Sequence, residues 1–388
     1  PQWVKSRLAD MGRFLPFMIS PSFLPVRTGK PSACHPHHSM WLQRSAAWGM
    51  AVPRTEPHSH AMDHMAKTNS LNDKLVVLIG GTGFLGTHVA QSLLERGARL
   101  RIACRHPERA FKLKPLANLG QIQFVPCDVT KPASVQAAMT GADAAVYLVG
   151  AFDGALDALQ ADGAGLAAKA ARQAGAQSFV LVSAIGADAA SEVAYASTKA
   201  EGERLVLEAF PTATIVRPSV LFGEDDKFIN MFANLIAHLP VMPVFGPDAK
   251  MQPLEVGDAA EAIANALADP GAHGGKTYEI AGPGVLTMGE INRSIAKAQP
   301  RHRAFAELPD AVSGMIASAT GWLPGAPITS DQWKLLKAGN VASGARPGIG
   351  ALGVAPRPLG LFLDRWMTRF RKYGRFGGRA ESAGREAP

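Results

Sequence analysis

One seven-residue stretch constrains this chain more than any other: "GGTGFLG", Gly80 to Gly86. It follows the apolar run Leu75 to Ile79 and opens a helical pattern that continues through His88 to Arg96. In that context a GxxGxxG spacing means a dinucleotide-binding turn, whereas the glycines alone would mean little. Gly80 permits the sharp turn out of the strand, Gly83 lets the backbone approach a pyrophosphate, and Gly86 lets helix and strand pack closely. Phe84 and Leu85 then lie in the first helical turn, where unpaired N–H groups and the helix dipole favour a diphosphate.

From Lys74 onward, apolar runs of strand length alternate with helical segments. A strand is expected at "RIAC", another at "IQFVPCDV", a helix near Pro132 to Met139, and a strand at "AAVYLVG". A long Ala-rich helix from about Gly154 to Gly175 leads to "SFVLVSAIGA", then to a helix from Tyr195 and a strand "ATIVRPSVLFG". "LEVGDAAEAIANAL" reads as a strand end running into a helix, and "KTYEIAGP" as a further strand. This order implies an α/β chain with a doubly wound parallel sheet of Rossmann type and helices on both faces. The expected divisions are an extension over residues 1–70, a dinucleotide-binding domain over 71–225 that also draws on parts of 250–285, a smaller C-terminal α/β region over 226–340, and a linker with a basic tail over 341–388.

Charge is concentrated at the ends. Residues 1–61 hold seven Lys or Arg against only Asp10 and Glu56, and Arg365 to Arg379 adds six basic residues with no acid. A near-neutral centre excludes a nucleic-acid groove and directs attention to basic ends that suit an acidic partner or an anionic membrane surface. Residues 1–70 carry His and Pro clusters without periodicity and read as disordered; their basic, acid-poor composition suits a transit peptide, and the preferred alternative is an over-long reading frame whose real start is Met62 or Met65. Cys34, Cys104 and Cys127 share no metal-ligand spacing and suggest no disulfide framework; the last two read as small buried side chains. No run reaches the ~18 apolar residues of a spanning helix. Glu224, Asp225 and Asp226 read as a solvated acidic loop, Asp258 as either a helix cap or a ligand contact, and "LFLDRWMTRFRKY" as a short aromatic and basic helix.

The ends of the next strands bear on which dinucleotide is bound. An acid at the end of the second strand would accept hydrogen bonds from the adenosine ribose of NAD. This chain has Arg105 there instead, about twenty residues beyond Gly86, and no carboxylate before Glu108. A guanidinium suits the 2′-phosphate of NADP by charge and bidentate geometry, so NADP(H) is expected over NAD(H). Asp128 and Val129 end the third strand, where an adenine would be contacted. Leu148 ends the fourth, and Pro218 falls beside the expected nicotinamide.

"YASTK" places Tyr195 and Lys199 one helical turn apart on one face, with Ser183 twelve residues earlier at a strand end. Together with the glycine turn, Asp128 and "RPSVLFG", these residues resemble the extended short-chain dehydrogenase/reductase superfamily across residues 74–285, the NAD-dependent epimerase/dehydratase type included. "LVSAIGADAASEVAYASTKAEGE", "TIVRPSVLFGEDDKFINMFAN", "MQPLEVGDAAEAI" and "SDQWKLL" are similar to one branch in particular. That branch is the nucleotide-binding accessory subunit of respiratory complex I (NADH:ubiquinone oxidoreductase) and its bacterial homologues, and the similarity runs to about residue 340.

The superfamily resemblance implies Tyr195 as acid/base, Lys199 lowering its pKa and holding the nicotinamide ribose, and Ser183 orienting a substrate oxygen. Two departures stand against turnover. Gln160 occupies the position where many members carry Asn, and the usual second Ser or Thr beside Ser183 is replaced by Ala184 and Ile185. Residues 228–245 are apolar and suit a protein or lipid contact rather than a sugar nucleotide. The complex I branch implies tightly held NADPH with a structural role, a respiratory complex I or other membrane-associated complex as partner, and a place at the cytoplasmic side of a bacterial inner membrane or the mitochondrial matrix side. Two alternatives remain: an active NADP-dependent oxidoreductase or epimerase using Ser183, Tyr195 and Lys199 on an apolar or sugar-nucleotide substrate, and a sensor that binds a partner according to NADP redox state.

Overall fold

The alternating pattern builds a seven-stranded parallel sheet in the computed structural model, which describes residues 70–320, 328–372 and 374. Expectations for residues 1–69, including the His-rich stretch, Cys34 and the alternative starts, lie outside the described residues, as do those for Tyr373, Arg375 and Arg379. The sheet strands are β1 (Leu75–Ile79), β2 (Arg99–Cys104), β3 (Ile122–Pro126), β4 (Ala144–Tyr147), β5 (Ser178–Val182) and β6 (Thr214–Pro218), joined by β11 (Thr277–Ile280). Their order is β11-β6-β5-β4-β1-β2-β3, so the chain winds outward from β1 in one direction and then returns to its other side. The reversal point lies between β1 and β4, where open α/β sheets bind ligands at their carboxyl ends.

Period-2 alternation assigns each strand residue to a face. Val76, Leu78, Leu100 and Ile102 point into one buried cluster, with helices α1 (Phe84–Glu95) and α6 (Val256–Ala268) packed over it. Val77, Ile79, Ala103 and Tyr147 point into the other, beneath α2 (Pro132–Met139), α3 (Gly163–Gln173) and α4 (Ala194–Ala209). The α3 face is almost all alanine, with Ala164, Ala167, Ala168 and Ala171 buried, which lets that helix lie close to the sheet. Cys104 and Cys127 are buried free thiols, and burial pushes both pKa values up, as inert core side chains require.

Two expected elements change form. The Ala-rich helix starts at Asp157 with a π-helical segment, Asp157–Asp162, before α3 proper. The run "ATIVRPSVLFG" is broken after Pro218: Ser219 N–H still donates to Ile280 O of β11, and beyond it β7 (Leu221–Phe222) pairs with β10 (Leu254–Glu255). A smaller unit follows, built on α5 (Phe228–His238), β8 (Val241–Phe245), β9 (Lys250–Met251), β12 (Leu286–Thr287), α7 (Met288–Ala298) and β13 (Ala304–Leu308). Phe222, Ile229, Ile236, Met242, Ile291 and Ile295 form its core. Helices α8 (Asp310–Thr320) and α9 (Ser330–Ala338) come next.

The expected linker from Ala342 to Leu359 is instead a packed strap, which corrects that expectation. Its apolar residues Ile349, Leu352 and Val354 are buried against α6, and Leu359 enters the core of the smaller unit. Burying each such side chain contributes about 1.5–3 kcal/mol, enough to hold a Gly- and Pro-rich path in place. Glu279 N–H donates to Pro347 O, and Arg357 donates to Asp258 and Glu255 at 2.7–2.8 Å. Asp258 is therefore the anchor of the strap, while Glu255 is the residue that caps α6. The strap leads into α10 (Gly360–Trp366), where Trp366 stacks on Phe362 at 4.8 Å and meets Phe222 edge-on. Among the described residues, no helix is long and apolar enough to cross a membrane.

Candidate functional site

Because the strands are parallel, their carboxyl ends share one edge, and nearly every residue singled out in the sequence falls there. Gly80 follows β1, Arg105 follows β2, Asp128 and Val129 follow β3, Leu148 follows β4, Ser183 follows β5 and Pro218 ends β6. Tyr195 and Lys199 reach the same edge from α4.

The three glycines of the turn differ in the way their roles require. Gly80 has φ +84°, the left-handed region that a side chain disfavours. A Cβ on Gly86 would lie 2.7 Å from Gly81 Cα and 2.8 Å from Gly80 O, so helix and turn touch through backbone alone. A Cβ on Gly83 would meet only Gly80 O, at 3.5 Å, which leaves open the approach to the start of α1. Gly83 is the N-cap of α1 and no side chain caps that helix, so the first-turn N–H groups of Phe84, Leu85 and Gly86 face an anion-binding position.

Arg105 and Asp128 lie at the strand ends where the sequence leads us to expect the adenosine. Arg105 is exposed and pairs with no described residue. Asp128 accepts hydrogen bonds from Thr130 N and Oγ1, which hold its carboxyl below the usual range. Val129 is buried beside it and Leu148 is half-buried, its N–H donating to Ile79 O.

At the opposite end, Ser183 is 4% exposed and its Oγ has no hydrogen-bond partner among the described residues. Leaving a buried hydroxyl unpaired is costly, and a bound ligand would relieve that cost. An open glycine cradle, an uncapped helix and an orphaned hydroxyl along one edge fit a dinucleotide.

Lys199 is 5% exposed; its Nζ donates to Val182 O at 3.2 Å and Val149 O at 3.4 Å. Burial pulls its pKa down to about 8, with Glu203 acting in the opposite sense. Glu203 lies one turn further along α4 and is held by both nitrogens of a bidentate Arg217 fork at 2.7–2.8 Å. Glu279 of β11 lies 3.7 Å from the same guanidinium and accepts from Ser343 N and Oγ. This network fixes α4, and with it the Tyr195–Lys199 face, to the sheet edge.

The Tyr195 hydroxyl bonds to no described residue, Lys199 and Ser183 included. Burial pushes its pKa up to about 12, opposite to what an acid/base at neutral pH needs. Its ring is stacked by Phe152 at 4.6 Å and 18°. Phe152 has no counterpart in the sequence reading. It lies in the loop "GAFDG", and nothing local marks a residue that meets Tyr195 only through the fold.

Gln160 is buried in the π-helical segment, its Nε2 donating to Ala151 O at 2.9 Å. Asp226 departs from the solvated loop expected for it. It is buried, and accepts from Gly223 N and Ile229 N to begin α5, while Glu224 and Asp225 are exposed.

Residues 80–234 match the NAD(P)H-binding family model, and residues 187–316 match the RmlD substrate binding domain. Over 316 residues the chain is 31% identical to the mitochondrial NADH dehydrogenase (ubiquinone) 1 alpha subcomplex subunit 9 of Rattus norvegicus, covering 79% of this chain and 82% of that protein. A ceramide reductase of Caulobacter vibrioides is 33% identical over 190 residues, 48% of this chain and 58% of that protein. An NADPH-dependent quinone oxidoreductase from Escherichia coli, solved with NADPH, has a TM-score of 0.60 at 19% identity over 74% of this chain and 98% of that one; a likeness at that identity speaks to fold. The chain carries an NAD(P)H-binding domain and belongs to the family of NADH dehydrogenase (ubiquinone) 1 alpha subcomplex subunit 9.

Proposed function

We propose that this protein is an accessory component of an NADH:ubiquinone oxidoreductase that holds NADP(H) chiefly as a structural group. The observation that carries this reading is the long match to the mitochondrial subunits, which spans the smaller unit as well as the nucleotide domain. The site geometry agrees with it. Lys199 is engaged with two main-chain carbonyls, and the Tyr195 phenol is desolvated under Phe152. Gly80, Gly83, Phe84, Leu85 and Gly86 would hold the diphosphate, Arg105 the 2′-phosphate, Asp128 and Val129 the adenosine, and Leu148, Lys199 and Pro218 the nicotinamide half. The nucleotide, when bound, could supply a hydride; the residues around it orient and enclose it. A ligand bound only by the folded chain stabilises that chain by mass action.

The protein would sit peripherally, at the cytoplasmic face of a bacterial inner membrane or the matrix face in a mitochondrion. Basic residues Arg365, Arg369, Arg371 and Lys372 near the C-terminus suit an anionic surface there. Solubilising membranes gently and isolating the protein with its partners tests the assignment. Co-isolation with complex I subunits and negligible NADPH oxidation are expected. Isolation alone, with brisk NADPH oxidation lost in Tyr195→Phe, would overturn it.

A second reading, a reductase of lipid-like carbonyls using Ser183, Tyr195 and Lys199, draws on the similarity to the ceramide reductase and on the apolar α5. Substrate-dependent NADPH oxidation with long-chain ketones would favour it.

A further inference from the structure

Phe152 is 67% exposed, yet its ring lies nearly parallel to Tyr195 at 4.6 Å. An exposed aromatic does not settle on one partner without something holding its backbone, and here Gln160 does so. Its amide donates to Ala151 O, the carbonyl next to Phe152. Gln160 is itself fixed by an unusual arrangement of backbone. The π-helical segment leaves Leu159 O to accept from the Tyr147 hydroxyl, and a Cβ on Gly163 would come within 2.7 Å of that hydroxyl. A Cβ on Gly202 of α4 would lie 2.2 Å from Gln160 O, so α4 presses against this segment through a side-chain-free position. The same helix thus carries Tyr195 and braces the residue that pins the loop over it. π-Helical insertions of this kind commonly mark functional positions.

We propose that the loop Gly150–Gly154 is a gate over the nicotinamide end of the site, closed by Phe152 lying on Tyr195 and pinned by Gln160, so that these two act as positioning residues controlling access to the tyrosine. The proposal rests on the assignment of this cleft to a dinucleotide. In the closed arrangement one face of the Tyr195 ring is covered, and with it the path that a substrate would take to the hydroxyl from that side. Gly150 and Gly154 bound the loop, and Gly154 already has φ +83°, which gives the backbone room to swing.

The test is chemical nitration of the purified full chain with tetranitromethane, with the modified tyrosine located by peptide mass spectrometry, alongside NADPH binding followed by fluorescence. In Phe152→Ala, nitration at Tyr195 should rise about two- to tenfold, the change in an opening equilibrium expected on losing one stacked aromatic pair. Gln160→Ala should give a rise of the same sign, and Phe152→Trp, which restores a stacking ring, should return nitration to the wild-type level. Nitration of each variant after unfolding, which exposes Tyr195 equally in all of them, serves as the reference, and Tyr278, buried at 2% exposure, should stay unmodified in every folded form. Equal nitration of Tyr195 in the wild type and both alanine variants would overturn the gate even where NADPH binds normally. A chain that binds no NADPH in any form would overturn the dinucleotide assignment instead.

Discussion

The two ends of the cleft are built from different material. The end expected to take the phosphates is backbone: a left-handed Gly80, an open Gly83, and a Gly86 on which a Cβ would come within 2.7 Å of Gly81 Cα. The end expected to take the nicotinamide is side chain: a buried lysine on two carbonyls, a tyrosine whose hydroxyl bonds to no described residue, and a phenylalanine over it. Backbone positions preorganise a site without depending on rotamers, whereas side-chain positions can be rearranged or covered. A chain can thus keep the serine, tyrosine and lysine of a reductase while the side chains around them are arranged in a way that suits holding a nucleotide.

The comparison breaks most readily at Gly86. Gly86→Ala drives a Cβ into Gly81 and Gly80, where no flexible side chain can yield, and should cost about 3 kcal/mol or more along with NADPH binding. Chemical denaturation with and without NADPH reads both effects.

Next in size is a pH effect at the other end. A lysine whose folded pKa lies near 8 instead of 10.5 destabilises the fold wherever it is charged. That cost is complete below about 8 and disappears as pH climbs through 10.5, so between pH 8 and 10 Lys199 contributes a rise of about 2 kcal/mol to the nucleotide-free chain, read as the difference between the wild type and Lys199→Met because the raised thiols of Cys104 and Cys127 oppose it in the same window. Tyr195 acts the other way only above pH 10, because its pKa is raised. Lys199→Met should flatten the rise; a slope that survives in this variant would assign it to another group.

Smaller again is Arg105→Ser, which should lower NADPH affinity about tenfold and leave NADH affinity unchanged, since one charged hydrogen-bonding partner of the 2′-phosphate contributes on the order of 1.5 kcal/mol. Isothermal titration with both nucleotides checks it, and a parallel loss for both would remove Arg105 from that role. Smallest is Tyr195→Phe, expected to change thermal stability by less than about 0.5 kcal/mol, because its hydroxyl bonds to no described residue. A large loss would reveal a structural bond that the tyrosine makes.

What was legible in the sequence follows the same division. The glycine turn, the strand ends and the Tyr195–Lys199 spacing are local patterns, so "GGTGFLG" and "YASTK" could be read directly. The expected helix Pro132–Met139 coincides with α2 for the same reason. Features that depend on distant segments meeting were not legible. Asp226 reads as one of three surface acids, and only the folding of α5 onto it provides the N–H groups that bury it. The strap reads as a linker because glycine and proline dominate it, while its four spaced aliphatic residues gain meaning only from α6 and the smaller unit. Phe152 gains its role solely from Tyr195, forty-three positions away in the chain.

The account rests on a nucleotide held rather than consumed, and the most direct measurement is to denature gently purified protein and identify what it releases by mass spectrometry. The account predicts NADP(H) in an amount close to that of the chain. Protein released empty, or carrying NAD(H) in its place, would contradict it.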